Sequence, residues 1–353
     1  MSGFVAPAST SVPGGIIGRL ADESASIKAK VDLLNIQAST GLVSTTYGGL
    51  GGTAAISLDL RPQIARTQVW SQNIDGATAR LSVTSTVMTQ LQSIATSFLS
   101  GTYNMTAQTS QEVDTMAASA KAALGQVQDL LNTQVGQTYI FAGQDTANAP
   151  LPSAAFNAFV ASIQAPIATL ATAGGPAVAA ATLAAATATS PFSTTLGTAP
   201  QTVPVGQTQA VPIGIVAGQN AFAASVGTNT TGSYVRDLIR ALSTISALNS
   251  GQTSLGAPFD SLVADTRTNL QNLGTTISNE TSALGVQQQM LVDAKTQVTD
   301  TQLALTAQVS GVENVDAATT ATALTQAQSQ LQISYKLIGD MQNLSLLQFL
   351  PVA

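Results

Sequence analysis

The chain has neither cysteine nor histidine in its 353 residues. Without cysteine there is no disulfide framework, no thiolate metal site and no sulfur nucleophile. Without histidine there is no imidazole ligand and no Ser–His or Cys–His pair. Charge is also scarce. Twelve Lys and Arg against 18 Asp and Glu make 8% of the positions, where ordinary soluble domains carry roughly a quarter. Aromatic residues are 4%, with one Trp, so the core must be built mainly from Ala, Val, Leu and Ile. The net charge of -6 excludes an extended basic surface. The only closely spaced bases are Lys28/Lys30, Arg61/Arg66 and Arg236/Arg240, too few to neutralise a run of phosphates, so no nucleic-acid partner is expected. Met1–Gly18 has no base and no long apolar run, which speaks against a cleaved secretory signal.

What charge there is divides the chain. Seven bases and nine acids lie between Arg19 and Asp145, and five bases and nine acids between Arg236 and Asp340. The ninety residues 146–235 carry none. This middle is rich in Ala, Thr, Gly and Pro. It is long enough to cross a membrane, but Gly174, Gly175, Pro176 and its many Thr and Ala make it weakly apolar. No membrane span is expected. Thr202-Val-Pro-Val-Gly206 and Ala210-Val-Pro-Ile-Gly214 are short β-branched runs closed by Pro and Gly, a strand-and-turn pattern. The middle therefore reads as an inserted, partly β domain, with a low-complexity linker as the rival.

The flanks are helical in period. Leu20, Ser24, Ile27, Val31, Leu34 and Ala38 recur at spacings of four and three until Gly41. A second helix is expected from Thr53 to Ser100, with Pro62 near its start, and a third from Ala107 to about Val135. Leu284, Leu291, Val298, Leu305 and Val312 are spaced by seven, the seam of a coiled coil. Leu324, Ala327, Leu331, Tyr335, Ile338 and Met341 make a last stripe, continued by Leu347. Helices this long cannot bury a seam alone, so the two chain ends should pack together. The fold class is mainly α: a long antiparallel helical bundle or coiled coil formed by both chain ends, with an inserted, partly β outer domain.

Candidate chemistries are weak. Gly48-Gly-Leu-Gly-Gly-Thr53 lacks the Gly-Lys-Ser/Thr ending of a phosphate loop and reads as an elbow between helices. The pairs Asp22/Glu23 and Glu112/Asp114 fall where helices should begin, so helix-dipole complementarity explains them. Asn314-Val-Asp316 reads as a break and an N-cap. No catalytic, cofactor-binding or metal-ligating residue is assigned, and no enzyme is expected. The seam residues Leu20, Ile27, Val31, Leu34, Leu284, Leu291, Val298, Leu305, Leu324, Leu331, Ile338 and Leu347 are the candidate functional set. A charge-poor helix surface of Gln, Asn, Ser, Thr and Ala is suited to meeting other subunits rather than to dispersing a monomer.

Several runs resemble the bacterial flagellins and the related hook–filament junction proteins. Ser39-Thr-Gly41 followed by Ala54-Ala-Ile-Ser-Leu58 resembles the family segment S-(S/T)-G … D-D-x-A-x-x-A-I-A, with Gly51-Gly52 standing where paired aspartates are usual. Asn73-Ile-Asp-Gly-Ala77 is similar to its N-x-x-x-A pattern. Gly136-Gln-Thr-Tyr-Ile-Phe-Ala-Gly143, with Pro150 beyond, resembles the G-x-Y-x-F-A-G … P found especially in junction proteins. Asp316–Leu350 resembles the shared C-terminal helix.

The resemblance implies a self-assembling structural subunit of the filament or of the hook–filament junction. It further implies export in unfolded form through the flagellar secretion channel, and partners that are copies of the chain, neighbouring axial proteins or a cytoplasmic chaperone. The implied destination is extracellular, in the flagellum. Residues 1–18 would be the flexible export segment, 19–145 and 232–353 the two halves of the helical core domain, and 146–231 the outer domain. Leu91, Gln92 and Ile94 match the family's L-Q-R-I-R-E-L receptor segment, but Ser93 and Ala95 replace both arginines, so weak activation of innate receptors is expected. A secreted effector or adhesin with a coiled-coil stalk is the rival.

Overall fold

The structure, a computed structural model, describes residues 13–106, 109–221, 224, 225, 227 and 229–347, with the backbone alone for 13, 14, 16, 17 and 342–347. Of the export segment expected over residues 1–18, residues 1–12 lie outside the described residues, as does the side chain of Leu347. In chain order the elements are α1 (Pro13–Thr40), α2 (Ala54–Asn104), α3 (Ser110–Leu131), β1 (Gln134–Val135), β2 (Thr138–Tyr139), α4 (Ser153–Gln164), α5 (Leu170–Ala173), α6 (Gly175–Ala188), β3 (Gln201–Pro204), β4 (Ala210–Ile213), α7 (Tyr234–Ser246), α8 (Ala257–Glu313) and α9 (Ala317–Leu347). The chain divides into two compact units, Met1–Arg66 with Thr301–Ala353, and Thr67–Asp300.

In the first unit α1 is described from Pro13 to Thr40. It stops where Gly41 takes a positive φ of 71°. Asp22 and Glu23 therefore sit in the third turn, not at the helix start, and the dipole account of that pair does not apply. Asp316 behaves as expected: its Oδ1 accepts from the backbone N–H of Ala318 and Thr319 at 2.8 and 3.1 Å, capping α9. α1 and α9 pack antiparallel over a small apolar cluster of Val31, Leu34 and Ala327, flanked by Ile27, Ala323, Leu324 and Leu331.

In the second unit one apolar core gathers α2, α3, α7 and α8. Leu81, Met88, Leu91, Leu131, Leu284 and Leu291 have no exposed side-chain surface worth counting. Residues from the uncharged middle enter the same core, among them Phe156, Phe159 and Ile163 of α4 and Val178 of α6. The strand signal is a two-stranded antiparallel hairpin, β3 with β4, in register Gln201↔Ile213 and Pro204↔Ala210. The first half of the middle, which composition left without a secondary structure, is helical.

Helix α2 runs 51 residues, about 76 Å at 1.5 Å per residue. Pro62 stands two turns inside it and removes one ladder hydrogen bond. α3 is shorter than expected, ending at Leu131, because Gln134–Tyr139 turns back as the β1–β2 hairpin. That hairpin leads into the Tyr139–Gly143 run. Phe141 and Ala142 are fully buried, and Gly143 has φ of +64° with the carbonyl oxygen of Ala199 only 2.7 Å from where a Cβ would stand. Only glycine combines that backbone with that approach.

Candidate assembly surface

A helix advances 100° per residue, so positions spaced three and four apart share a face and positions two apart lie nearly opposite. In α1 the inward set is Ser24, Ile27, Val31 and Leu34, and it meets Ala323, Leu324, Ala327, Leu331 and Ser334 of α9. Two residues on from Val31 and Leu34, Leu33 and Ile36 are each 50% exposed. In α9, Ile333 is 68% exposed and Leu337 and Tyr335 are about half exposed. Tyr335 was expected inside the stripe. Ser334 takes that buried place instead, with its Oγ 2.6 Å from Ser24 Oγ. The α1–α9 pair thus has one apolar seam between its helices and a second apolar face on each helix that the unit leaves uncovered.

The expected seam residues divide between the two units. Leu20, Ile27, Leu324, Leu331 and Ile338 are half-buried and Val31 and Leu34 buried in the first unit. Leu305 is half-buried in the same unit. Leu284, Leu291 and Val298 belong to the large core of the second. The seven-residue spacing is one helix, α8, but its residues do not share one environment.

A joint between the segments of the first unit had no sequence signal. Leu42 and Asn314 form an isolated antiparallel bridge, with Val43 N–H donating to Glu313 O at 2.7 Å and Val315 N–H to Gly41 O at 2.9 Å. Above it, Arg61 grips the Glu313 carboxylate with Nε at 3.0 Å and Nη2 at 2.6 Å, and Ser57 donates to the same carboxylate. Glu313 is held below the ordinary glutamate range, chiefly by the Arg61 hydrogen bond and then by Ser57. Opposite charges on α2 and α8, far apart in sequence, are the only hint the sequence offers of this pairing.

Among the described residues of the second unit the polar contacts tie one segment to another. Asp114 accepts the Ser250 N–H at 2.8 Å, and contact with Ser250 lowers its pKa. Asp145 is lowered by hydrogen bonds from Thr195 and Asn148. Arg240 and Asp237 are buried in α7 and bond to a neighbouring segment: Arg240 Nη2 donates to Asn229 O at 2.8 Å, and Asp237 accepts from Thr231 N–H at 2.8 Å. These are structural ties. Among the described residues no group of three or more acidic side chains is placed to hold a metal ion. Two abutting open clefts of about 420 and 470 Å³ lie between α2 and α3, sharing Ser93, Ile94 and Gln126, with Asp129 their one charged residue. Ala95 beside them is fully buried. One helical stretch, Ser153–Ala173, is apolar and long enough by composition to cross a membrane.

Comparison with known proteins gives a consistent picture. Residues 21–146 match the bacterial flagellin N-terminal helical region, and residues 268–350 the bacterial flagellin C-terminal helical region. The two matches together take in more than half of the chain. No individual curated protein matches. Among solved structures, one assigned as a flagellar hook-associated protein from Vibrio parahaemolyticus superposes with a TM-score of 0.53 at 11% identity, over 74% of this chain and 97% of that one. At that identity the likeness is one of fold.

Proposed function

Because the chain belongs to the bacterial flagellin family, and so is a structural subunit of the flagellum in the filament or at the hook–filament junction, we propose that the exposed second face of the α1–α9 pair is where neighbouring axial subunits close onto it. The observation that carries this reading is the two-sided helix: Val31 and Leu34 face α9, while Leu33 and Ile36 on the opposite side are half exposed. A two-helix pair cannot bury four apolar faces, and side-by-side packing of equivalent pairs removes the exposed ones from water at about 25 cal/mol per Å².

Export fits the same molecule. A chain without cysteine can pass unfolded through a narrow channel and fold outside without oxidative steps. Its apolar terminal stripes need cover before assembly, which is the part assigned to a cytoplasmic chaperone. We read Ser153–Ala173 as a core-packing helix rather than a membrane span, since Phe156, Phe159, Ile163, Ile167 and Leu170 enter the core. Catalysis has no part in this reading.

Leu33→Asp and Ile333→Asp test it, because both positions are exposed and the unit itself should tolerate the change. The expected result is a monomer with unchanged helix content by circular dichroism that no longer forms tubes or joins the appendage in electron micrographs. Unimpaired assembly of both variants would overturn the reading. Filament and junction roles separate by abundance. The Gly136–Gly143 run and the description of the Vibrio structure support the junction, and identifying the bulk protein of sheared appendages by mass decides.

A further inference from the structure

The segments that join the α1–α9 pair to α2 and α8 within the first unit are not held by an apolar core. The small cluster around Val31 and Ala327 includes nothing from residues 41–66 or 301–316. What those segments bury is modest: Leu50, Ser57, Leu60 and Val309. Hydrogen bonds join them instead, and Glu313 contributes to these through both its backbone and its side chain. Glu313 is the last residue of α8, and its carbonyl oxygen, left without an intrahelical donor, accepts Val43 N–H. Its carboxylate is at the same time gripped by Arg61 and Ser57 of α2. One residue therefore ties the 41–43 segment, the start of α2 and the end of α8 together. Val43 is used twice, since its carbonyl also accepts from Gln37 Nε2 of α1 at 2.9 Å.

The charged groups around this tie are few. Arg61 is the base that faces Glu313. The Tyr47 phenol approaches Arg61 from the glycine-rich turn. Asp316, three residues on, is occupied in capping α9. Arg61 is 54% exposed, so dissolved ions reach its side of the pair, and exposed pairs are the ones salt weakens.

We propose that Glu313 and Arg61 form an ion-gated latch: while they are paired, residues 41–43 and 313–315 stay joined as a two-stranded strap. When the pair is screened or broken the strap opens, and the α1–α9 pair is left on its two linkers, 41–53 and 314–316. The first of these holds five glycines, Gly41, Gly48, Gly49, Gly51 and Gly52, and offers little resistance to reorientation. This latch rests on contacts inside the chain and does not depend on what the polymer is.

The absence of native cysteine supplies a clean probe. Leu42 and Asn314 are a non-hydrogen-bonded antiparallel pair, the register in which facing Cα atoms come closest and a disulfide can close. In the full-length soluble chain carrying Leu42→Cys and Asn314→Cys, the rate of intramolecular disulfide formation under a fixed oxidant reports how often the strap is joined. We expect Glu313→Gln or Arg61→Gln to slow that rate at least tenfold, and 1 M salt to slow the parent while leaving the two variants unchanged. Reversing the pair, Arg61→Glu with Glu313→Arg, should restore a rate within threefold of the parent. Equal rates in all backgrounds, or a reversed pair as slow as the single variants, would overturn the latch.

Discussion

Ser24 and Ser334, 310 residues apart, share a buried hydrogen bond 2.6 Å long in the seam between the first and last helices. Ser24 also donates to the Leu20 carbonyl at 2.7 Å, so in the shared bond its oxygen accepts the proton of Ser334. The two roles are unequal. Ser24→Ala leaves a buried donor on Ser334 without an acceptor and should cost about 1–2 kcal/mol. Ser334→Ala leaves Ser24 with its own donor still satisfied and should cost less, and the double variant should lie closer to wild type than Ser24→Ala alone. Chemical unfolding followed by a probe on α1 gives the order.

Adjacent leucines in α1 should respond differently. Leu34 is buried against α9 and Leu33 is half exposed. Leu34→Ala should loosen the pair in the isolated chain by about 2 kcal/mol, at the low end for a buried leucine because only two helices surround it. Leu33→Ala should leave the isolated chain unchanged and weaken assembly only. Hydrogen exchange of α1 amides, compared with polymer yield, separates the two effects.

Gly143→Ala is expected to destabilise the second unit by about 2 kcal/mol or more, because a Cβ would meet a positive φ and the Ala199 carbonyl together. The urea midpoint measures it. Gly285→Ala, where nothing stands within 4 Å of the added atom, should be neutral or slightly stabilising.

Within the first unit acid should act on the joint and on the start of α9. Glu313 and Asp316 both have pKa values lowered in the folded chain, Glu313 by Arg61 and Ser57, Asp316 by the amides of Thr319 and Ala318. A lowered carboxylate contributes stability that is complete above its ordinary pKa, near 4, and is lost as pH falls through the folded value. Exchange at Ala318, Thr319, Val43 and Val315 should therefore rise on acidification below about pH 4, before that of Val31. Asp316→Ala should fray the start of α9 at neutral pH, with Asp316→Asn keeping part of the protection.

How far the fold could be read from the residues depended on what carried each contact. The α1 seam was legible because Ile27, Val31 and Leu34 repeat at helical spacing, and the β3–β4 hairpin because Pro and Gly close two β-branched runs. Tyr335 misled because hydrophobicity favours tyrosine over serine, while the phase set by Ala327 and Leu331 places Ser334 inward. Helix α7 has a clear helical period in Val235, Leu238, Leu242 and Ile245, but no period could tell that its polar residues Asp237, Arg240, Ser243 and Thr244 are buried as well. The joint of Leu42 with Asn314 was beyond reach, since two single residues distant in the chain leave no repeating pattern. The composition of residues 146–231 could not tell that Phe156 and Phe159 share a core with Leu284.

The uncharged middle has a consequence for survival outside a cell. Between Lys121 and Arg236 there is no lysine or arginine. Enzymes of the trypsin type, which must seat a basic side chain before they cut, find no bond to attack there, although Ala158 and Ala161 of α4 and Ala180 and Ala184 of α6 lie open to solvent. Digestion should leave that stretch as a single fragment even where its backbone is within reach.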